Sequence, residues 1–97
     1  MTEKDLTHCA WKHFGSVHQL AKYKEELCEA VAALQRYEIN PNPDTYQEMI
    51  EELADVELCT NYPRLIFREK DIDQAKHKKM LYLKELLKLQ RNLGEKE

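Results

Sequence analysis

Two glycines and three prolines are the only strong helix breakers in this chain of 97 residues, and between them apolar residues return every three or four positions. No stretch of useful length alternates in the manner of a strand, so the chain is expected to be all-α. Gly15, the Asn40-Pro41-Asn42-Pro43 stretch and Pro63 cut it into pieces that can fold back on one another. Short connections between helices favour antiparallel neighbours, which predicts an antiparallel bundle of about four helices.

The pattern places a first helix over Thr2 to Phe14, with Leu6, Cys9, Ala10 and Phe14 on one side and Gly15 closing it through a positive φ. Residues 1–15 thus form an N-terminal helical segment. Ser16 with Gln19 reads as a capping box for a second helix, whose stripe of Val17, Leu20, Leu27, Val31 and Leu34 runs to about Tyr37. Asp44 with Gln47 is expected to cap the third, which buries Tyr46, Met49, Ile50, Leu53 and Val56. Pro63 removes a backbone donor, so this helix kinks or breaks near Asn61. Asp71 with Gln74 then starts a last helix carrying Ile72, Met80, Leu83, Leu86, Leu87 and Leu93, with residues 94–97 a fraying tail after Gly94.

Such a length fits a single domain over residues 1–97, and one this small buries a modest share of its surface, so a homodimer or homotetramer is expected to complete the bundle. The formal charge of −3 gives no general attraction for nucleic acid or anionic lipid. No apolar run reaches the roughly 20 residues of a membrane span, and Met1-Thr2-Glu3-Lys4-Asp5 lacks a secretory pattern, which predicts a cytoplasmic protein without membrane contact. Cys9, Cys28 and Cys59 form no CxxC and are expected to be reduced.

Against this background two acidic pairs stand out, Glu26 with Glu29 and Glu52 with Asp55. Residues three apart share a helix face, so each pair aims its oxygens in one direction. Both pairs border an apolar stripe, and small Ala30 and Ala33 beside the first let another helix come close. Four converging carboxylates repel one another unless a cation lies between them, and an all-oxygen donor set selects Mg²⁺ or Mn²⁺ over zinc.

The run Glu25-Glu26-Leu27-Cys28-Glu29 followed by Glu52-Leu53-Ala54-Asp55 resembles the EExxE…ExxD pattern of the MazG-like all-α nucleoside triphosphate pyrophosphohydrolases. The resemblance covers roughly residues 11 to 90 and takes in the upstream segment Trp11-Lys12-His13-Phe14 and Gln19. It implies Mg²⁺-dependent hydrolysis of a nucleoside triphosphate between its α and β phosphates, to a monophosphate and pyrophosphate, in nucleotide-pool house-cleaning. By the family pattern Glu26, Glu29, Glu52 and Asp55 are metal ligands, and Glu25 is the residue that orients the attacking water. Trp11 and Gln19 are the candidates for substrate contact from the upstream segment.

Lys76 and Lys79 share a face of the last helix with Ile72 and Leu83, where an ammonium group either snorkels or meets an anion such as substrate phosphate. Trp11, Phe14 and Tyr37 offer flat apolar rings for a nucleobase or for core packing. His8, Cys9 and His13 lack an evident fourth ligand for a transition metal. A different reading of the same stripes and acids is a non-catalytic helical interaction module, with its carboxylates solvated.

Overall fold

The computed structural model describes residues 1–96 and, within them, every side chain except those of Leu93, Glu95 and Lys96. All regular structure among the described residues is helical: α1 (Glu3–Phe14), α2 (Ser16–Ile39), α3 (Pro43–Cys59), α4 (Asn61–Ile66) and α5 (Glu69–Lys96). They fall into two compact units, Met1–Phe67 and Arg68–Glu97.

In the first unit α2 packs chiefly on α3, while α1 and α4 pack on each other and on this pair. Three residues, Asn40 to Asn42, join α2 to α3, and the side-chain pairs between them run in opposite senses: Arg36 meets Glu48, Tyr37 meets Tyr46, and Glu26 meets Asp55. As one index falls the other rises, which fixes the two helices as antiparallel neighbours.

Local chemistry sets the boundaries, in several places differently from the sequence expectation. Thr2, not a helical residue itself, caps α1: its hydroxyl accepts from the Asp5 N–H at 3.1 Å and Asp5 accepts from the Thr2 N–H. Gly15 does close α1, with φ at +90° and its N–H donating to Trp11 O at 2.8 Å. The Ser16–Gln19 capping box does not form. Gly15 occupies the cap position of α2, and the Ser16 hydroxyl instead accepts the Trp11 indole N–H at 2.8 Å.

At α3 the cap is Asn42 and not Asp44. Its side-chain oxygen accepts from the N–H groups of Asp44 and Thr45, Thr45 Oγ1 accepts the Asn42 N–H, and Pro43 fills the first helical position, where no donor is needed. The same logic explains the break before Pro63. The third helix stops at Cys59, and Pro63 falls in the first turn of the separate short helix α4, where a backbone N–H has no acceptor within the helix. This adds a fifth helix to the expected four. Asn61 Nδ2 then donates to Glu3 Oε2 at 2.9 Å and ties α4 to α1.

The second unit is α5, which begins at Glu69, two residues ahead of Asp71, so Asp71 sits in the first turn and caps nothing. Gly94 does not end it, since a glycine weakens a helix without obliging it to stop. Of the expected fraying tail, Glu97 lies outside the described residues, as does the side chain of Leu93.

Burial departs most from the expected stripes. The line of α2 that faces its neighbours is Gln19, Glu26, Ala30 and Ala33, while Val17, Leu27, Val31 and Leu34 are exposed. The two alanines do admit close approach, as their size predicts. On α1 the buried residue is Thr7, with Leu6, Cys9 and Phe14 exposed. On α3 Tyr46 and Ile50 are exposed while Met49, Leu53 and Val56 are half-buried.

At about 100° per residue, Leu27, Val31 and Leu34 lie roughly a quarter turn from the line of α2 that meets α3, and Tyr46 and Ile50 lie a similar angle, in the same rotational sense, from the line of α3 that meets α2. Equal rotations on antiparallel helices fall on one side of the pair. The α2–α3 ribbon thus has an apolar side, and Glu25, Glu29, Arg36, Glu48 and Asp55 rotate to the other.

Replacing Asn42 by Ala should cost about 1 kcal/mol of stability, whereas Asp44→Ala should cost a few tenths at most, as read by thermal or denaturant unfolding. Equal losses would restore Asp44 as the cap.

Candidate metal centre

Three of the four expected ligands converge. One carboxylate oxygen from each of Glu26, Glu52 and Asp55 lies within 4.8 Å of the others. Glu26 comes from the middle of α2 and is 3% exposed, because the close approach at Ala30 and Ala33 presses this part of α2 onto its neighbours. Glu52 is half-buried, and Asp55, one turn further along α3, keeps more contact with water.

The fourth, Glu29, is exposed and faces Glu52 across the helix pair. Across the same seam Glu26 faces Asp55. Each approach is carboxylate to carboxylate, so each needs a proton or a cation to be comfortable.

Two buried oxygens, Glu26 Oε2 and Glu52 Oε2, have no hydrogen-bond partner. A buried unsatisfied carboxylate oxygen costs more than an ordinary lost hydrogen bond, so these atoms fit a site whose partner is a cation. Hard divalent cations bind oxygen at about 2.1 Å (Mg²⁺) to 2.5 Å (Ca²⁺), so ligand oxygens within 4.8 Å of one another need little contraction to share one ion. The three oxygens could hold a hard divalent cation.

The electrostatics record the same crowding. Loss of water around the carboxylate pushes the Glu52 pKa above the ordinary range, and the charges of Glu29, Glu26 and Asp55 push it further. Asp55 is raised for the same reasons, desolvation first and then Glu26, with Lys22 acting in the opposite direction. Burial also raises the Cys59 thiol, with the Glu26 charge next in weight. One cation is already engaged: Lys22 Nζ sits 2.8 Å from Glu26 Oε1, four residues before it on α2.

Beside the cluster opens a cavity of about 540 Å³ between α1, α2, α3 and α4. Lys22, Glu25 and Asp55 supply its charged wall, Gln19 an amide, and Phe14 and His18 a ring pair stacked at 5.1 Å between centroids. Gln19 is buried and its Oε1 lies 2.7 Å from His18 Nδ1.

Of the sequence candidates, Gln19 and Glu25 therefore line the cavity next to the acids. Trp11 is not among the lining residues. Its indole N–H is committed to Ser16 and its ring lies under Lys12, 4.4 Å from the ammonium to the ring centroid. Lys76 and Lys79 are exposed on α5, in the second unit. Tyr37 packs edge-on against Tyr46 at 5.9 Å, far along α2 from the acids. Sequence reasoning missed Lys22 and His18; Lys22 was legible as a lysine four residues before Glu26, the spacing of a helical ion pair.

No protein-family model, curated protein or solved structure matches the chain.

Because Glu52 and Asp55 hold protons more tightly folded than unfolded, the metal-free native state binds more protons than the unfolded chain above pH ~4, and its stability falls as pH rises through the raised values. Asp5, held down by the Thr2 N–H, acts in the opposite sense only near and below its ordinary range. The melting temperature in EDTA should therefore drop as pH rises above the ordinary carboxylate range, and Asp55→Asn should flatten that slope and raise the value at neutral pH. A slope unchanged in the variant would show that Asp55 is not the group responsible.

Proposed function

We propose that this protein is a Mg²⁺-dependent nucleoside triphosphate pyrophosphohydrolase, cleaving between the α and β phosphates to release a monophosphate and pyrophosphate. The observation that carries the reading is the convergence of Glu26, Glu52 and Asp55, with two buried oxygens lacking partners, at the edge of a cavity large enough for part of a nucleotide. The motif resemblance names the same three acids, together with Glu29 beside Glu52.

Mg²⁺ at these carboxylates supplies neutralisation of the polyphosphate and acidification of a bound water. The chain's own groups do the rest. Glu26, Glu52 and Asp55 would hold the cation, and Glu29, exposed beside Glu52, is the fourth candidate ligand. Glu25, which lines the same cavity as Asp55, would accept a proton from the attacking water. The stacked Phe14 and His18 rings and the Gln19 amide form the wall on which a base would rest and donate or accept a hydrogen bond.

The reading includes a homo-oligomer. Leu27, Val31, Leu34, Tyr46 and Ile50 are exposed on the side of the α2–α3 ribbon away from the acids. A second copy laying the same side against it would complete a four-helix bundle and leave the acidic side open to substrate.

Incubated with common and modified nucleoside triphosphates and Mg²⁺, the protein should yield pyrophosphate and a monophosphate. Glu29→Ala and Asp55→Ala should lower that rate roughly hundredfold or more without loss of helical signal. Mg²⁺ should raise the melting temperature of the wild type and not of Asp55→Ala. A flat activity screen together with no Mg²⁺ response in a folded sample favours the interaction module instead. Separately, Val31→Glu should convert a dimer or larger assembly to monomer in light scattering; a monomeric wild type would remove the oligomer from the reading.

A further inference from the structure

We infer that Lys22 is a displaceable internal cation: it holds Glu26 while the carboxylate site is empty of metal, and on metal binding turns into the adjacent cavity to take an anionic phosphate group. The inference rests on the metal-site reading above and goes beyond it by assigning a phosphate ligand and the order in which the site is filled.

Glu26 is the most buried of the three converging acids, yet its two oxygens are treated unequally. Oε1 is paired with Lys22 at 2.8 Å, and Oε2 is buried with no partner although it belongs to a side chain 3% exposed. The converging carboxylates outnumber the single ammonium beside them, so the cluster keeps a net negative charge that a divalent ion would offset. An ion entering at the unpartnered oxygens then stands next to the ammonium, and like charges a few ångströms apart in a partly desolvated place repel strongly. Lys22 has somewhere to go. About half of its side chain is exposed, and it lines the cavity that also holds Glu25, Gln19 and His18.

An ammonium on a four-carbon stem reaches several ångströms by rotation about its own bonds, with no movement of the helix. Leaving Glu26 for solvent alone would gain little. Leaving it for a triphosphate whose oxygens sit beside the metal replaces one charge-assisted hydrogen bond by another. The ring stack and the amide lie on the same cavity, so a base attached to such an anion would have a surface to rest on.

Removing the charge therefore has opposite effects on the two ligands. In EDTA-stripped protein, Lys22→Met should bind Mn²⁺ alone roughly tenfold more tightly than wild type by calorimetric titration, because the competing cation is gone. With Mg²⁺ saturating, the same variant should bind inorganic triphosphate roughly tenfold more weakly. Lys22→Arg, which keeps the charge, should restore most of the triphosphate affinity. A purely structural ion pair moves both affinities the same way or neither, and either result overturns the proposal.

The wild type provides a check free of folding defects. Mass-spectrometric labelling of lysines with acetic anhydride should show Lys22 becoming more reactive when Mg²⁺ is added and protected again when triphosphate follows. No change at Lys22 in a protein that does bind Mg²⁺ overturns the role of Lys22 alone. A wild type that binds neither Mg²⁺ nor Mn²⁺ overturns the metal site and this inference together.

Discussion

The first unit is organised around one unfavourable contact, the placing of Glu26 in the seam between α2 and α3 opposite Asp55 and beside Glu52. A carboxylate with 3% of its surface exposed is tolerated in a fold only when paired or neutralised. Here it is half satisfied, by Lys22 on one oxygen. The remainder is held in place by features that have nothing to do with charge: Ala30 and Ala33 let α2 come close to its neighbours, the three-residue Asn40–Asn42 connection fixes the antiparallel register, and Asn42 and Pro43 define where α3 begins. Slide α3 by one residue and Glu52 and Asp55 no longer face Glu29 and Glu26. The crowding is therefore a consequence of helix geometry, maintained at a cost that a bound cation would remove.

Much of this was legible from residue order alone, for a physical reason. Helical periodicity is local, so the spacing Glu26–Glu29 and Glu52–Asp55 fixes common faces wherever the helices go. Breakers are local too: Gly15 stands at the junction of α1 and α2, and the break at Thr60 falls within one turn of Pro63. Caps proved less legible, because several residues compete for one set of free N–H groups. Asn42, Asp44 and Ser16 are all good cap residues by type. Pro43 settles the contest in favour of Asn42, since proline belongs at the first helical position and the cap immediately precedes it. Ser16 loses its chance because Gly15 ends α1 so abruptly that α2 starts at once, with the Ser16 hydroxyl turned to the Trp11 indole.

Burial was the least legible property. An apolar stripe shows which side of a helix avoids water but not which neighbour covers it. On α2 the stripe of Leu27, Val31 and Leu34 lies a quarter turn from the line in contact with α3, and that line is filled by Gln19, Glu26, Ala30 and Ala33. Sequence reasoning merges the two faces, since each falls near the edge of the other. Within one chain the small and polar face has found its partner and the large apolar face has not. The inversion is intelligible if the pairing of α2 with α3 serves to assemble the acids, while the greater hydrophobic gain is kept for an intermolecular contact.

This division of faces bears on how the site could work. A cation-binding cluster needs charge and access; a stable interface needs apolar area and exclusion of water. Two helices are too few to give both on the same surface. Rotation places Glu25, Glu29 and Asp55 on one side of the ribbon and Leu27, Val31, Tyr46 and Ile50 on the other, so a cation site and an intermolecular contact would not compete for one surface. Of the four acids Glu26 and Glu52 are the more buried, and each has one oxygen without a hydrogen-bond partner among the described residues. Any pressure on the α2–α3 seam from a second copy against the apolar side would act on those two carboxylates first. Metal affinity and assembly would then be linked through helix separation: whatever holds α2 against α3 also holds the three oxygens together, and a cation binding those oxygens draws α2 and α3 together in return.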